Sequence, residues 1–452
     1  MVGLSGKGRS YFVSILIFIL ILFIIIGPFY FIYVKEQIKN NTIKKEEYSF
    51  KGVISFWDYP KTNTQTGSRY GWILKKIKRF EKENPGVYIE FKPLSRKTGH
   101  MLLDTAVDTK TYPDIAPVAT DMRIISKGLL ENVDKFMTEE EVKQYKTDAI
   151  KAVKCKGKIW GFPYTMSTYN LLLNVEMFNE RGIEIPKEGN WTYDEFVETL
   201  KKLTVDENDD GKMDYYGFNA YIGVNDYSLW GILLSDGGEV FNNKGEYIFN
   251  DSKAISGVKR IVDLKNKYKV VPDDFGESSE IEAWKSFYKD KKIGVYPAGT
   301  WAVNTLTKAY ESGEGFEFEV ANYPTGNREK TISAAKVTSA YGIFKQEDEE
   351  KLKMCVKFLK FLSKDEYQRS LNEVGVFPVK KDIEKIYTGN AKMDFVEQNL
   401  KYTKNISNPN WNITQEYFYS QLRQILLKNK NVKEALDQAK NKIDTYRSIK
   451  KE

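Results

Sequence analysis

The stretch from Lys51 to Phe91 restricts the architectures open to this chain more than any other. KGVISFW (Lys51 to Trp57) is rich in β-branched and aromatic residues and reads as a buried strand. Trp72 to Glu83 places Ile73, Ile77 and Phe80 on one helical face, and Asn84-Pro85-Gly86 stops that helix. Val87 to Phe91 is a second apolar strand. Strand, amphipathic helix and strand at this spacing form a βαβ unit, which implies parallel pairing and an α/β protein. With 452 residues the chain exceeds one average domain, so one large bilobed unit or two domains is expected.

The alternation continues. YPDIAPVAT (Tyr112 to Thr120) reads as a short strand approached by a turn, and Gly157 to Pro186 as a hairpin, a strand and a short helix. Asp251 to Tyr268 is a predicted helix burying Val258, Ile261 and Val262. Lys292 to Tyr296 is a strand that runs into Pro297-Ala298-Gly299-Thr300-Trp301. Asp348 to Leu362 is a helix, and its apolar stripe of Leu352, Cys355, Val356 and Leu359 makes Cys355 a buried, inert thiol. Gly375 to Pro378 is a turn, and Thr414 to Ser448 is mostly helical.

Asn190 to Phe218 combines a capped helix with an acidic loop. Thr192 and Glu195 have capping-box spacing, and Phe196, Leu200 and Leu203 follow on one face. Asp206, Asn208, Asp210 and Asp214 then fall at positions 1, 3, 5 and 9 of an EF-hand-style loop, with Gly211 at position 6. Three carboxylates, one amide oxygen and the backbone carbonyl of Lys212 supply five oxygens for a structural Ca2+. Position 12, a glutamate in a complete loop, is Gly217 here, so water or a distant side chain would complete the shell. A solvated Asp- and Gly-rich turn is the alternative.

The N-terminus points to a membrane. No charged residue occurs from Ser10 to Val34, and a run of this length spans a bilayer of about 30 Å. The first alanine is Ala106 and the first cysteine Cys155, so neither an A-x-A-like cleavage site nor a lipidated cysteine follows the run. The expectation is residues 1–9 in the cytoplasm, an uncleaved anchor at 10–34, a charged tether at 35–49 and a soluble domain at 50–452. Lys7 and Arg9 on one flank and Lys35, Lys39, Lys44 and Lys45 on the other leave orientation open on charge alone.

Composition excludes several classes. The net charge of +7 is spread along the chain with no basic block interleaved with aromatics, so nucleic acid is not an expected partner. The two cysteines lie far apart, without zinc spacing, and the single histidine, His100, argues against His-based catalysis. No carboxylate pair stands out by spacing as a glycosidase pair, and no enzymatic activity is expected. The 29 Tyr, 26 Phe and 8 Trp either fill a core or cover the apolar faces of a planar ligand such as a sugar.

Ligands of open α/β sheets bind outside the carboxyl ends of the strands. Trp57 and Asp58 end the first strand, and Asp121 follows DIAPVAT. Tyr164 follows Phe162-Pro163, Ser339 and Tyr341 lie on another strand-like crossing, Trp301 follows a strand end, and Trp230 precedes GILLSDGG. These eight are the candidate ligand-binding residues; packing or capping is the alternative role of each.

Several landmarks now occur in one order: YPDI, GFPY, LLLNVEMFNERGIEIP, NWTYDEF, the acidic loop, LWGILLSDGGEVFN, IGVYPAGTW and GVFP. Taken together they resemble the family 1, maltose-binding-like, extracellular solute-binding proteins of bacterial ABC sugar importers, across residues 50 to 445. The resemblance implies a two-lobed, type II periplasmic-binding-protein-like α/β fold, with lobe 1 at about 50–165 and 296–345 and lobe 2 at about 166–295 and 346–452. It implies capture of a carbohydrate in the interlobe cleft, Trp301 stacking on a sugar ring, and delivery to ABC permease subunits. It also places the domain outside the cell, on a single-pass anchor in the cell membrane. A ligand sensor partnering a membrane histidine kinase is the alternative. VTSAYGIF at Val337 to Phe344 departs from the paired glycines common in relatives.

Overall fold

The computed structural model describes residues 26–28 and 30, and 50–449 apart from 64, 97, 225, 243, 328–336, 384 and 401–410. The expected anchor and tether therefore lie outside the described residues, save for 26–28 and 30, which are helical. Among the described residues no helix is long and apolar enough to cross a membrane. Residues 51–452 form one compact unit.

The strands are β1 (Gly52–Asp58), β2 (Val87–Pro93), β3 (Ile115–Ala116), β4 (Lys154–Cys155), β5 (Lys158–Ile159), β6 (Phe162–Ser167), β7 (Tyr169–Asn174), β8 (Tyr216–Phe218), β9 (Ile293–Gly299), β10 (Phe318–Ala321) and β11 (Val337–Ile343). β1 and β2 pair in parallel from Gly52 opposite Val87 to Asp58 opposite Pro93. The helix Gly71–Glu83 between them buries Trp72, Ile73, Ile77 and Phe80. At about 1.5–3 kcal/mol for each large apolar side chain, that face is ample reason for the helix to stay docked.

Two sheets result. The first has the order β2-β1-β3-β11-β6 and the second β10-β7-β9-β8, with β4 and β5 as a separate hairpin. The chain passes from the first sheet to the second between β6 and β7, where Thr168 is the sole intervening residue. It returns between β10 and β11, and crosses again after Phe377, which bridges to Met166 of β6. The next helix, Ala391–Asn399, lies against β10, with Lys392 paired to Glu319 at 2.7 Å. The final helices Trp411–Lys428 and Val432–Ile449 join the core of the second lobe through Trp411, Phe418, Leu422, Leu436 and Ile443.

This topology moves the expected lobe boundaries. Residues 296–321 belong to the second lobe, because β9 and β10 both pair antiparallel with β7. The helix Glu349–Leu362, expected in the second lobe, packs on the first sheet, with Phe358 edge-to-face against Phe56 of β1. The sheet that β9 and β10 join is decided by β7, more than a hundred residues earlier, so local pattern does not reveal it.

Two of the sequence landmarks have clear structural reasons. Gly161 of GFPY lies where a Cβ would come within 2.3 Å of the Tyr341 carbonyl oxygen, so only glycine lets those backbones meet. Asp236 of LLSDGG is buried and accepts from Arg260 Nε and Nη2, both at 2.9 Å, and from the Asn327 amide at 2.9 Å. The carboxylate thus ties the chain leaving β10 to the helix Ser252–Asn266. Arg260 and its other donors hold the Asp236 carboxyl below its usual range despite burial.

A cleft between two lobes

The floor of the candidate site forms where the chain crosses between sheets. The Thr168 carbonyl accepts from Thr300 N at 3.1 Å, tying the first crossing to the end of β9. Thr300 Oγ1 in turn donates to Gly375 O, in the turn of the first lobe, at 2.7 Å. Gly375 has φ 70°, and a Cβ there would crowd the Trp301 Cα at 3.1 Å. Trp301 is half-buried beside this joint, edge-to-face with Trp284 at 5.0 Å.

The first-lobe wall is built on the ends of β1, β6 and β11. Asp58 is fully buried and accepts from Tyr341 Oη at 2.8 Å, from Tyr59 N at 2.9 Å and from the Lys61 ammonium. Tyr341 stacks on Tyr164, centroids 4.0 Å apart and planes 8° off parallel, and Lys61 Nζ lies 4.8 Å over the Tyr164 ring. Burial works against the Lys61 charge, yet Asp58 holds its pKa above the usual value. Three sequence candidates, Asp58, Tyr164 and Tyr341, thus come together in one network that lies beneath the cleft. Tyr59 is half-buried above it, its phenol pushed up to about 12 by burial and then by Asp104, Asp58 and Asp121.

Asp121 caps the helix Met122–Ser126, accepting from Arg123 N at 2.9 Å. Arg123 Nη2 pairs with Asp121 at 2.9 Å and with Asp104 at 3.1 Å. The Asn412 amide, from the helix Trp411–Lys428 of the opposite lobe, lies against Arg123, and turned so that its oxygen faces the guanidinium it accepts from Nη2 at 2.8 Å. This is a hydrogen bond across the cleft. Ser339 is half-buried where the register between β11 and β6 shifts. Trp57 packs into the first-lobe core, with Lys92 Nζ 4.1 Å over its ring.

The second-lobe wall is rich in tyrosine. Tyr169, Tyr221 and Tyr227 are half-buried, and Tyr227 Oη accepts from Trp411 Nε1 at 2.9 Å. A cavity of about 400 Å³ opens between the lobes, lined by His100 from the first and by Tyr221, Glu416, Tyr419 and Arg423 from the second. Trp230, by contrast, is fully buried among Phe249, Trp411 and Phe418, which leaves it no ring face toward the cleft. The structure also brings to the site residues that were not singled out from sequence: Tyr59, Tyr169, Asp226, Trp284 and Asn412. Tyr169 had a usable signal, being two residues past the end of an apolar strand at a crossing.

The acidic loop folds around its own amides. Asp206 accepts from Gly211 N at 2.7 Å, Asn208 from Asp210 N at 2.9 Å, Asp210 from Lys212 N at 2.8 Å and Asp214 from Glu207 N at 2.9 Å. Among the described residues no group of three or more His, Cys, Asp or Glu side chains converges as a metal site.

The profile of the family described as bacterial extracellular solute-binding protein matches residues 75–399. The chain belongs to that family. This solute-binding protein is 22% identical over 347 residues to a binding protein of Brucella abortus, a match covering 75% of this chain and 78% of the relative. Its fold is similar to that of an ABC substrate-binding protein from Listeria monocytogenes in complex with cycloalternan, with TM-score 0.74 and 19% identity over 88% of this chain and all of the other. It is also similar to a maltose/maltodextrin-binding domain from Bdellovibrio bacteriovorus bound to maltotriose, with TM-score 0.73 and 17% identity over 88% of this chain and all of that one.

Proposed function

We propose that this solute-binding protein captures an oligosaccharide in its cleft and hands it to the membrane subunits of an ABC importer, without chemistry on the sugar. One observation carries the reading: aromatic rings on both walls alternate with polar groups of both signs. Tyr59, Asp121 and Arg123 face from one lobe, and Trp301, Tyr169, Tyr221 and Asn412 from the other. Ring faces cover the C–H faces of a pyranose, while carboxylates, amides and guanidinium bond its hydroxyls. The sugars held by the Listeria and Bdellovibrio proteins support the same class. Of the residues expected from sequence, Trp301 and Asp121 are the proposed contacts, and Asp58, Tyr164 and Tyr341 hold the wall from beneath. No observation favours the histidine-kinase partnership.

Residues 10–34 are proposed as the single-pass anchor that keeps the domain at the outer face of the membrane, beside its permease; the absence of any charged residue from Ser10 to Val34 supports this. Calcium at Asp206, Asn208, Asp210, Lys212 and Asp214 is proposed as a structural ion. The EF-hand spacing of these residues, with Gly211 at position 6, supports it.

The test is thermal unfolding of residues 46–452 across a panel of neutral oligosaccharides. A ligand at 100 times its Kd stabilises the folded state by about 2.7 kcal/mol, a visible rise in Tm. No rise with any sugar would sink the carbohydrate reading.

A further inference from the structure

We propose that the ligand carries a protonated amine, which Asp226 holds against the tyrosine wall of the cleft; this rests on the carbohydrate reading and narrows it to amine-bearing sugars. Asp226 lies in the loop between β8 and the helix Trp230–Leu233, half-buried beside the cavity that Tyr221 and Tyr419 line. Its backbone is fixed: its carbonyl accepts from Tyr419 Oη at 2.7 Å and its amide donates to Gly223 O at 3.3 Å. Its Oδ1 accepts from Ser228 N at 2.8 Å and from Ser228 Oγ. Its Oδ2 receives no hydrogen bond from any described residue.

No described lysine, arginine or histidine balances this carboxylate. The ionisable group that acts on it is Glu280, of the same sign. Two cations act on the tyrosines around it, and each donates to a carbonyl: Arg423, beside Tyr221, to Ile222 O at 2.6 Å, and Arg96, which acts on Tyr169, to Pro60 O at 3.3 Å. Around Asp226 stand tyrosines instead. Tyr169 and Tyr227 have ring centroids 6.1 Å apart, and the Asp226 charge pushes both their phenols up, after burial. A half-buried carboxylate without a counterion is unfavourable, and burial raises its pKa to about 7. A cation delivered by the ligand relieves that cost, and aromatic faces attract cations further. A neutral sugar supplies neither.

The test uses the full chain in detergent micelles and measures Kd by calorimetry for matched trisaccharides: glucosamine trimer, its N-acetylated form and maltotriose. The glucosamine trimer is expected to bind at least tenfold more tightly than either neutral sugar. That preference should vanish in Asp226→Asn and fade as pH falls below about 7, where Asp226 takes up a proton. Should Asp226→Asn fail to fold, Glu280→Gln, at an exposed position, is expected to reduce the preference several-fold. Equal binding of amine and neutral trimers, or a preference untouched by these variants, overturns the inference and leaves the carbohydrate reading standing. No binding by any of the three, nor by the wider neutral panel, removes both.

Discussion

Lys76 lies on the helix Gly71–Glu83 with 6% of its surface exposed, its ammonium 3.8 Å over the Trp72 ring and 5.0 Å from Tyr367. Its ammonium donates to the Trp72 carbonyl at 3.4 Å. Burial lowers its pKa from 10.5 to about 8. At 1.36 kcal/mol per pH unit that difference is worth about 3 kcal/mol, which we reduce to about 2 because the ammonium still reaches solvent. The indole face returns about 1 kcal/mol to the charged form. Lys76→Met, which keeps the apolar stem, should therefore stabilise the protein by about 1 kcal/mol at pH 7. The pH dependence has a definite sign. Above 10.5 the group is neutral folded and unfolded and contributes nothing. As pH falls toward 8 the unfolded chain takes the proton first, so native stability drops, and it stays lower below 8. Urea unfolding of wild type and variant at pH 7 and pH 10 reads this directly. The two should differ at pH 7 and converge toward pH 10. A variant less stable than wild type at pH 7, with no convergence, would show that the cation over Trp72 outweighs its desolvation.

Other outcomes follow from the same contacts. Asp236→Asn strips a half-buried arginine of its buried carboxylate partner and should cost about 3 kcal/mol in urea unfolding; the wild-type contribution, present at neutral pH, should fade as pH drops below the ordinary carboxylate range. Trp301→Ala should weaken sugar binding by about 2 kcal/mol, roughly thirtyfold in Kd, with little change in Tm; an unchanged Kd would remove Trp301 from the ligand contacts. Millimolar Ca2+ should raise the Tm of wild type and not of Asp206→Asn/Asp210→Asn; equal curves with Ca2+ and EDTA would end the calcium proposal.

What the sequence disclosed is local in origin. The Thr192–Glu195 capping box forms as read, because the bonds run between neighbours: Thr192 N donates to Glu195 at 2.7 Å and Glu195 N to Thr192 at 3.2 Å. The opening βαβ unit formed for the same reason. Trp230 was legible as an aromatic but not as core, since Trp411 and Phe418, which enclose it, arrive some 180 residues later. Lobe membership of β9 and β10 depends on pairings such as Leu173 with Glu319, which no window of sequence contains. Asp226 was invisible for a different reason. Its interest lies in what does not stand near it, and the lack of a counterion among the described residues is a property of the folded surroundings.

Thr168, alone between strands of two different sheets, has a mechanical consequence. A single residue offers two soft torsions, and one of its backbone groups is already committed to Thr300. The halves of the molecule can swing about this point but cannot drift apart or slide, so little entropy is lost when they meet around a solute. Two or three glycines inserted after Thr168 would loosen this crossing, leaving those between β10 and β11 and after Phe377 to hold the halves together. The solute would still lodge on one wall, but bringing up the other would become a search instead of a swing, and affinity would fall although every contact residue remained in place.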